Sequence, residues 1–197
     1  YSSRFIMGQL VANNGNLLAA LTKAPEPELR YLEHWLFDRE QEAAGNDGDG
    51  IVDNGETVEL AIVIRNHWGK AGNVTLKLEA QAETAFQPDP YVTFEIDEVN
   101  LGAVGSFNWD DNGLIYDDQG VITGVRTPLR FSVASDTPND HLIPFKLTMT
   151  CENGYEPDDP NAPYVFESRF DILVQNGKVF PSIIDEDYYM SNDHYWI

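Results

Sequence analysis

The chain has 197 residues, with 12 Lys+Arg against 33 Asp+Glu, a formal charge of −21 at pH 7. A chain of this length buries roughly 70% of its unfolded surface, and its 42% hydrophobic and 12% aromatic content excludes a disordered acidic tail, which lacks the apolar area to offset chain entropy. The acidity argues against nucleic acid or an anionic membrane as a partner, because binding there rests on Lys and Arg replacing released counterions. Cations or basic partners are expected instead.

Residues 1–24 are mildly apolar (Phe5, Ile6, Met7, Leu10, Val11) but broken by the turn signal Asn13-Asn14-Gly15-Asn16, with a short helix expected from Leu17 to Lys23. Ala24-Pro25-Glu26-Pro27 reads as a stiff connector, since two closely spaced prolines hold the backbone extended. Residues 1–27 are therefore expected to be an N-terminal extension. From Glu28 the strand period takes over, with Tyr31, Glu33, Trp35 and Phe37 alternating against Leu32, His34 and Leu36. In Thr57 to Asn66, Val58, Leu60, Ile62 and Ile64 share one face, the mark of a half-buried strand. Further strands are expected at 72–80, 91–96, 129–135, 141–151 and 165–175, separated by turns such as Thr137-Pro138-Asn139-Asp140 and Glu152-Asn153-Gly154. The polar segment 102–127 reads as a long inserted loop or a decorated hairpin. About seven short strands with no long amphipathic helix predict an all-β fold, an immunoglobulin-like antiparallel β-sandwich over residues 28–178. Residues 179–197, ending Tyr195-Trp196-Ile197, read as a C-terminal linker or the start of a following domain. With no Met at position 1, the chain is expected to be a mature product or a piece of a longer one.

The stretch that carries chemistry is Gly45-Asn46-Asp47-Gly48-Asp49-Gly50-Ile51-Val52-Asp53-Asn54-Gly55-Glu56. Against the twelve-position calcium loop, Asp47, Asp49, Ile51, Asp53 and Glu56 fall at the third, fifth, seventh, ninth and twelfth positions, and Gly50 at the sixth, where the chain must turn sharply. Ca²⁺ takes six to eight hard oxygens, so Asp47, Asp49, Asp53 and Glu56 would give carboxylates, while Ile51 would give its carbonyl and send its side chain into the core. The first position holds Gly45, where an acid is usual. Asn46, an upstream Asp38 or Glu42, or water would take that vertex, and the missing charge places the expected affinity near ~10⁻⁴–10⁻³ M. The alternative is a bare Asp/Asn/Gly turn, in which close carboxylates repel with nothing to offset them. A strand leaves the loop directly, so the expected role is a structural clamp, not a helix–loop–helix sensor.

Gly45 to Gly50 with Asn54-Gly55-Glu56-Thr57-Val58-Glu59-Leu60 and Val63-Ile64-Arg65-Asn66, and the later Phe131-Ser132-Val133-Ala134 and Thr137-Pro138, resemble the CARDB-like, immunoglobulin-like modules of large secreted and cell-surface proteins. Val179-Phe180-Pro181-Ser182-Ile183-Ile184 resembles the lead-in to a parallel β-helix. These resemblances imply a non-catalytic, calcium-stabilised spacer module, secreted or on a cell surface, whose partners are calcium and neighbouring domains or copies of the same protein.

Two alternatives stand beside that reading: an accessory carbohydrate-binding module stacking sugars on Trp68 and Trp109, with Trp35 expected in the core, and a self-assembling surface subunit. The acidic turns at 110–118 and 156–159 lack the Gly-spaced ligand order and read as solvated loops, with further calcium there the lesser alternative. The single cysteine, Cys151, permits no intrachain disulfide and reads as a small buried hydrophobe. Four scattered histidines, His34, His67, His141 and His194, show no ligand spacing, and no nucleophile elbow, phosphate loop or dinucleotide fingerprint occurs, so no enzyme is expected. No apolar run approaches the ~18 residues that would span a bilayer. Asn73-Val74-Thr75 satisfies the N-glycosylation pattern, a tripeptide that also arises by chance.

Overall fold

The computed structural model describes residues 24–39, 41, 43–82 and 87–175. Among these the regular structure is all strand: β1 (Leu29–Phe37), β2 (Thr57–Asn66), β3 (Ala71–Ala80), β4 (Val92–Ile96), β5 (Glu98–Val104), β6 (Trp109–Asp111), β7 (Leu114–Tyr116), β8 (Ile122–Val125), β9 (Leu129–Val133), β10 (His141–Asn153) and β11 (Tyr164–Val174). One sheet runs β1-β2-β9-β4 with β6 also on β2, a second runs β11-β10-β3-β5, and β7-β8 form a separate hairpin, every pairing antiparallel. The two larger sheets bury a common core, so the chain is a β-sandwich, as the strand pattern predicts. The expected helix at Leu17–Lys23 and the segment 179–197 lie outside the described residues.

Alternating apolar residues build that core from both sides. Leu60, Ile62 and Ile64 of β2 and Leu129 and Phe131 of β9 face Leu76 and Leu78 of β3 and Ile143, Phe145, Leu147 and Met149 of β10. The Phe131 and Phe145 rings meet between the sheets at 5.1 Å, and Phe145 stacks on Phe170 of β11 at 5.5 Å.

Two expectations are corrected. Trp35 is 41% exposed, not in the core. A bulge leaves Leu32 unpaired between the Tyr31–Ile64 and Glu33–Val63 partners, and an extra residue in a strand flips every side chain after it to the other face. Tyr31, His34 and Leu36 thereby approach the core side, while Trp35 lies opposite Ala61 on the outer face. The strand β2 is buried on both faces instead of one, because Leu114 and Val125 of the β7-β8 hairpin, with Phe37 and Ile122, cover Ala61 and Val63. The polar segment 102–127 is thus the decorated hairpin of the two readings.

A strand buried on both faces must satisfy all its backbone groups within the protein. Leu60 is the last β2 residue paired with β9 and Val63 the first paired with β6, so these two strands lie end to end along one side of β2 with a gap between them. The Asn112 side chain fills the gap, accepting from the Ile62 N–H at 2.7 Å and donating to the Leu60 carbonyl at 3.0 Å. At the far end of β2, Asn66 accepts from the Glu28 N–H at 3.1 Å and donates to the Gly69 carbonyl at 2.6 Å. Glycine is required at position 69, where a Cβ would lie 1.9 Å from the Pro25 carbonyl oxygen.

Candidate metal centre

Asp38 directly follows β1 and Glu56 directly precedes β2. Pairing of Phe37 with Glu59 brings both acids to the same end of the sheet, and residues 38–56 form the connection between them. The loop is anchored at two points. Val52 is buried in the core and forms a parallel bridge with Val174, its carbonyl accepting from the Gln175 N–H at 2.9 Å. On the other side Asn46 acts as an extra strand residue, accepting from the Thr57 N–H at 2.9 Å and donating to the Thr57 carbonyl at 2.8 Å. Between the anchors the backbone turns at Gly50, whose φ of +81° belongs to glycine.

Carboxylate oxygens of Asp38, Asp47 and Glu56 lie within 4.8 Å of one another. Glu56 is 1% exposed, Asp38 4%, and Asp47 half-buried. Backbone amides hold the three in place. The Asp47 N–H donates to Glu56 Oε1 at 3.2 Å and the Asp53 N–H to Oε2 at 2.8 Å, so the Glu56 carboxylate ties both arms of the loop together. The Gly50 N–H points at both Asp38 oxygens, at 3.2 and 3.3 Å, and the Asp49 N–H donates to Asp47 Oδ1 at 3.2 Å. Burial pushes the Glu56 carboxyl above the usual carboxylate range; the Asp53 and Asp47 amides pull it back, and the charges of Asp38 and Asp53 add to the rise. Each carboxylate retains lone pairs beyond those the amides use.

The donor set suits a hard cation. Oxygens sharing one Ca²⁺ at ~2.3–2.6 Å stand at most ~5 Å apart, and neither His nor Cys is among the three gathered residues. Of the residues expected from the loop spacing, Asp47 and Glu56 belong to this group, while Asp49 and Asp53 do not. Asp49 Oδ1 instead accepts from the Ile51 N–H at 2.8 Å. The Ile51 side chain is 40% exposed, correcting its expected place in the core; its neighbour Val52 is the residue that enters. Of the candidates for the vertex that Gly45 leaves open, Asp38 has its carboxylate in the group, Asn46 is committed to Thr57, and Glu42 lies outside the described residues. Asp38 lies just upstream of the loop motif as one of the acids expected to reach over, and the pairing of β1 with β2 brings its carboxylate to the loop.

The other acidic turns are closed on themselves. Asp117 Oδ1 accepts from the Gln119 and Val121 N–H groups, and Asp111 Oδ1 from Gly113 and Leu114. Asp159 is bonded to Asn161 and Tyr164, which hold its carboxyl below the usual range, the Tyr164 hydroxyl most strongly. Cys151 is buried in the core, and burial, with Glu152 next, pushes its thiol up to about 12. Among the sugar-platform candidates, Trp109 on β6 is 61% exposed, whereas Trp68 is half-buried with its ring at 65° to Phe107.

No family model matches the chain, and no curated protein matches it. Among solved structures the chain is similar to an ASH/PapD-like domain of human CEP192, its PapD-like domain 7, at 11% identity and a TM-score of 0.32, over 77% of this chain and 85% of that one. The assignment to the β-sandwich class rests on the sheets described above.

Proposed function

We propose that this chain is a non-catalytic, calcium-stabilised β-sandwich module of a secreted or cell-surface protein, of the CARDB-like kind that its loop resembles, serving as a spacer or assembly unit. The observation that carries the reading is the gathering of Asp38, Asp47 and Glu56 within 4.8 Å at the point where β1 and β2 meet. Three carboxylates this close, two of them buried, repel one another unless a cation or protons neutralise them. Calcium fits the all-oxygen donor set, and the loop's anchors give the ion a stable frame to close upon. Thermal unfolding of the chelated protein across a calcium series tests the reading. A rising melting temperature that saturates near millimolar calcium supports it, and an unchanged transition at about 10 mM calcium overturns it.

The exposure of Trp109 supports a second reading, an accessory carbohydrate-binding module. Retention on a neutral-glycan array that Trp109→Ala abolishes without lowering the melting temperature would support it, and silence across the array would dismiss it.

A further inference from the structure

We propose that Asn73 is an N-glycan acceptor site. The proposal rests on the extracellular placement proposed above, since the modification needs export past a transferase that reads Asn-x-Thr on the polypeptide and draws the sugar from a lipid-diphosphate-linked oligosaccharide. Asn73-Val74-Thr75 is the one tripeptide of that pattern in the sequence. Its setting in the fold goes beyond the pattern.

Although Asn73 lies within β3, it pairs with neither neighbouring strand. The register with β5 skips from Ala71 to Val74, and the register with β10 skips from Gly72 to Thr75. The double irregularity gives Asn73 a φ of +50° and leaves its side chain exposed, while Val74 beside it is buried in the core. Space is open beside it too, because a Cβ at Gly102, the partner of the adjacent Val74, would meet nothing within 4 Å.

The hydrogen bonds also settle which atom faces outward. The Gly102 N–H donates to Asn100 Oδ1 at 2.8 Å and so fixes the orientation of the Asn100 amide. Its Nδ2 must then point to Asn73 Oδ1, at 2.8 Å, and to Thr75 Oγ1, at 3.1 Å. Asn73 Nδ2 is left with no hydrogen bond among the described residues. In the transfer this nitrogen forms the bond to the sugar C1 as the C1–O bond to the lipid diphosphate breaks, the diphosphate leaves with the bonding pair, and the amide gives up a proton. The Asn73 contact to Asn100 uses Oδ1 and survives in the product, so the folded structure accommodates the glycan without losing a bond.

The test is secretion of the full chain from an N-glycosylating host, followed by mass spectrometry of the tryptic peptide Ala71–Lys77 before and after peptide-N-glycosidase in heavy-oxygen water. The expected result is a glycan on that peptide, with labelled aspartate at position 73 after the enzyme. Thr75→Ser should retain the glycan, and Thr75→Ala and Asn73→Gln should lose it. A secreted, folded wild-type chain whose Ala71–Lys77 peptide is bare overturns the proposal. Because occupancy is read on the wild-type peptide, the answer does not depend on variants folding or on whether calcium shifts the melting temperature.

Discussion

Asp38→Asn separates the site seen in the structure from the site that loop spacing alone suggests. With a dissociation constant of ~10⁻⁴–10⁻³ M, about 10 mM calcium adds RT ln(1 + [L]/Kd), roughly 1.4 to 2.7 kcal/mol. For a domain of this size each kcal/mol moves the midpoint by about 2–4 °C, so the wild-type shift is about 3 to 11 °C. Asp38 supplies one of three gathered carboxylates. Weakening the site about tenfold by removing that charge lowers the calcium stabilisation by about 1 kcal/mol, a loss of roughly 2 to 4 °C of the shift. The calcium-free variant behaves in the opposite sense. The amide oxygen of the substituted side chain can still accept from the Gly50 N–H, and neutralising a nearly buried charge beside Glu56 relieves repulsion, so the chelated variant melts no lower than the chelated wild type. Asp49→Asn is the control, because Asp49 is exposed and an asparagine there keeps the acceptor for the Ile51 N–H. Differential scanning fluorimetry with and without calcium on the three proteins reads all of this. A full calcium shift in Asp38→Asn, or loss of the shift in Asp49→Asn with Asp38→Asn unaffected, refutes the assignment of Asp38 as a ligand.

Three further outcomes follow from the packing. Asn112→Ala strands the buried Leu60 carbonyl and Ile62 N–H, and urea unfolding should show a loss of about 2 to 4 kcal/mol, with Asn112→Asp costing at least as much because it buries a charge and sets an acceptor against the Leu60 and Thr127 carbonyls. Phe145→Ala removes the ring on which Phe131 and Phe170 converge and should cost about 3 to 5 kcal/mol by the same measurement. His34 stacks on Phe170 at 4.6 Å and shares a hydrogen bond of 2.7 Å between its Nδ1 and the Tyr31 hydroxyl, and burial lowers its pKa. The unfolded chain then takes up the proton first, so the stability from neutral His34 is whole above about pH 6.5 and is lost as pH falls through the folded value. The melting temperature of His34→Phe should fall less than that of wild type between neutral pH and pH 5, and parallel curves for the two would contradict this.

How much of this was legible in the sequence varied with the range of the interaction that decides each feature. Period-two alternation located β2, β3, β9, β10 and β11, because a strand facing a core writes that core into its own residues. It failed for β5, an edge strand in which Asn100 and Gly102 serve the irregular register with β3 and mimic turn signals. It failed again for Trp35, since the bulge at Leu32 inverts the faces and leaves no mark in composition. The second burial of β2 was hidden because the cover for Ala61 and Val63 comes from a hairpin about fifty residues later. For the site, the glycines and acids of the loop were readable as a local turn, and two of the three gathered carboxylates, Asp47 and Glu56, lie within it. The third, Asp38, was readable only as one of several candidates for the open first position, and the pairing of β1 with β2 is what brings it to the others.

The placement of the acidic loop would give a bound ion a mechanical consequence. Asp38 and Glu56 terminate strands of one sheet, whereas Val52, on the same loop, bridges Val174 at the end of β11 in the other. A cation holding the three carboxylates would therefore fix the loop that joins the two sheets at this corner, and its removal would leave the Val52 anchor to hold against unrelieved repulsion. The amide of Gln175, bonded to the Val52 carbonyl, and that of Gly50, bonded to Asp38, are the local reporters. Chelation should speed hydrogen exchange at these two amides while the central amides of β10, paired on both sides by β3 and β11, keep their protection. Uniform acceleration across β10 and β3 would mean that the ion supports the whole sandwich equally, and the corner clamp would be the wrong mechanism.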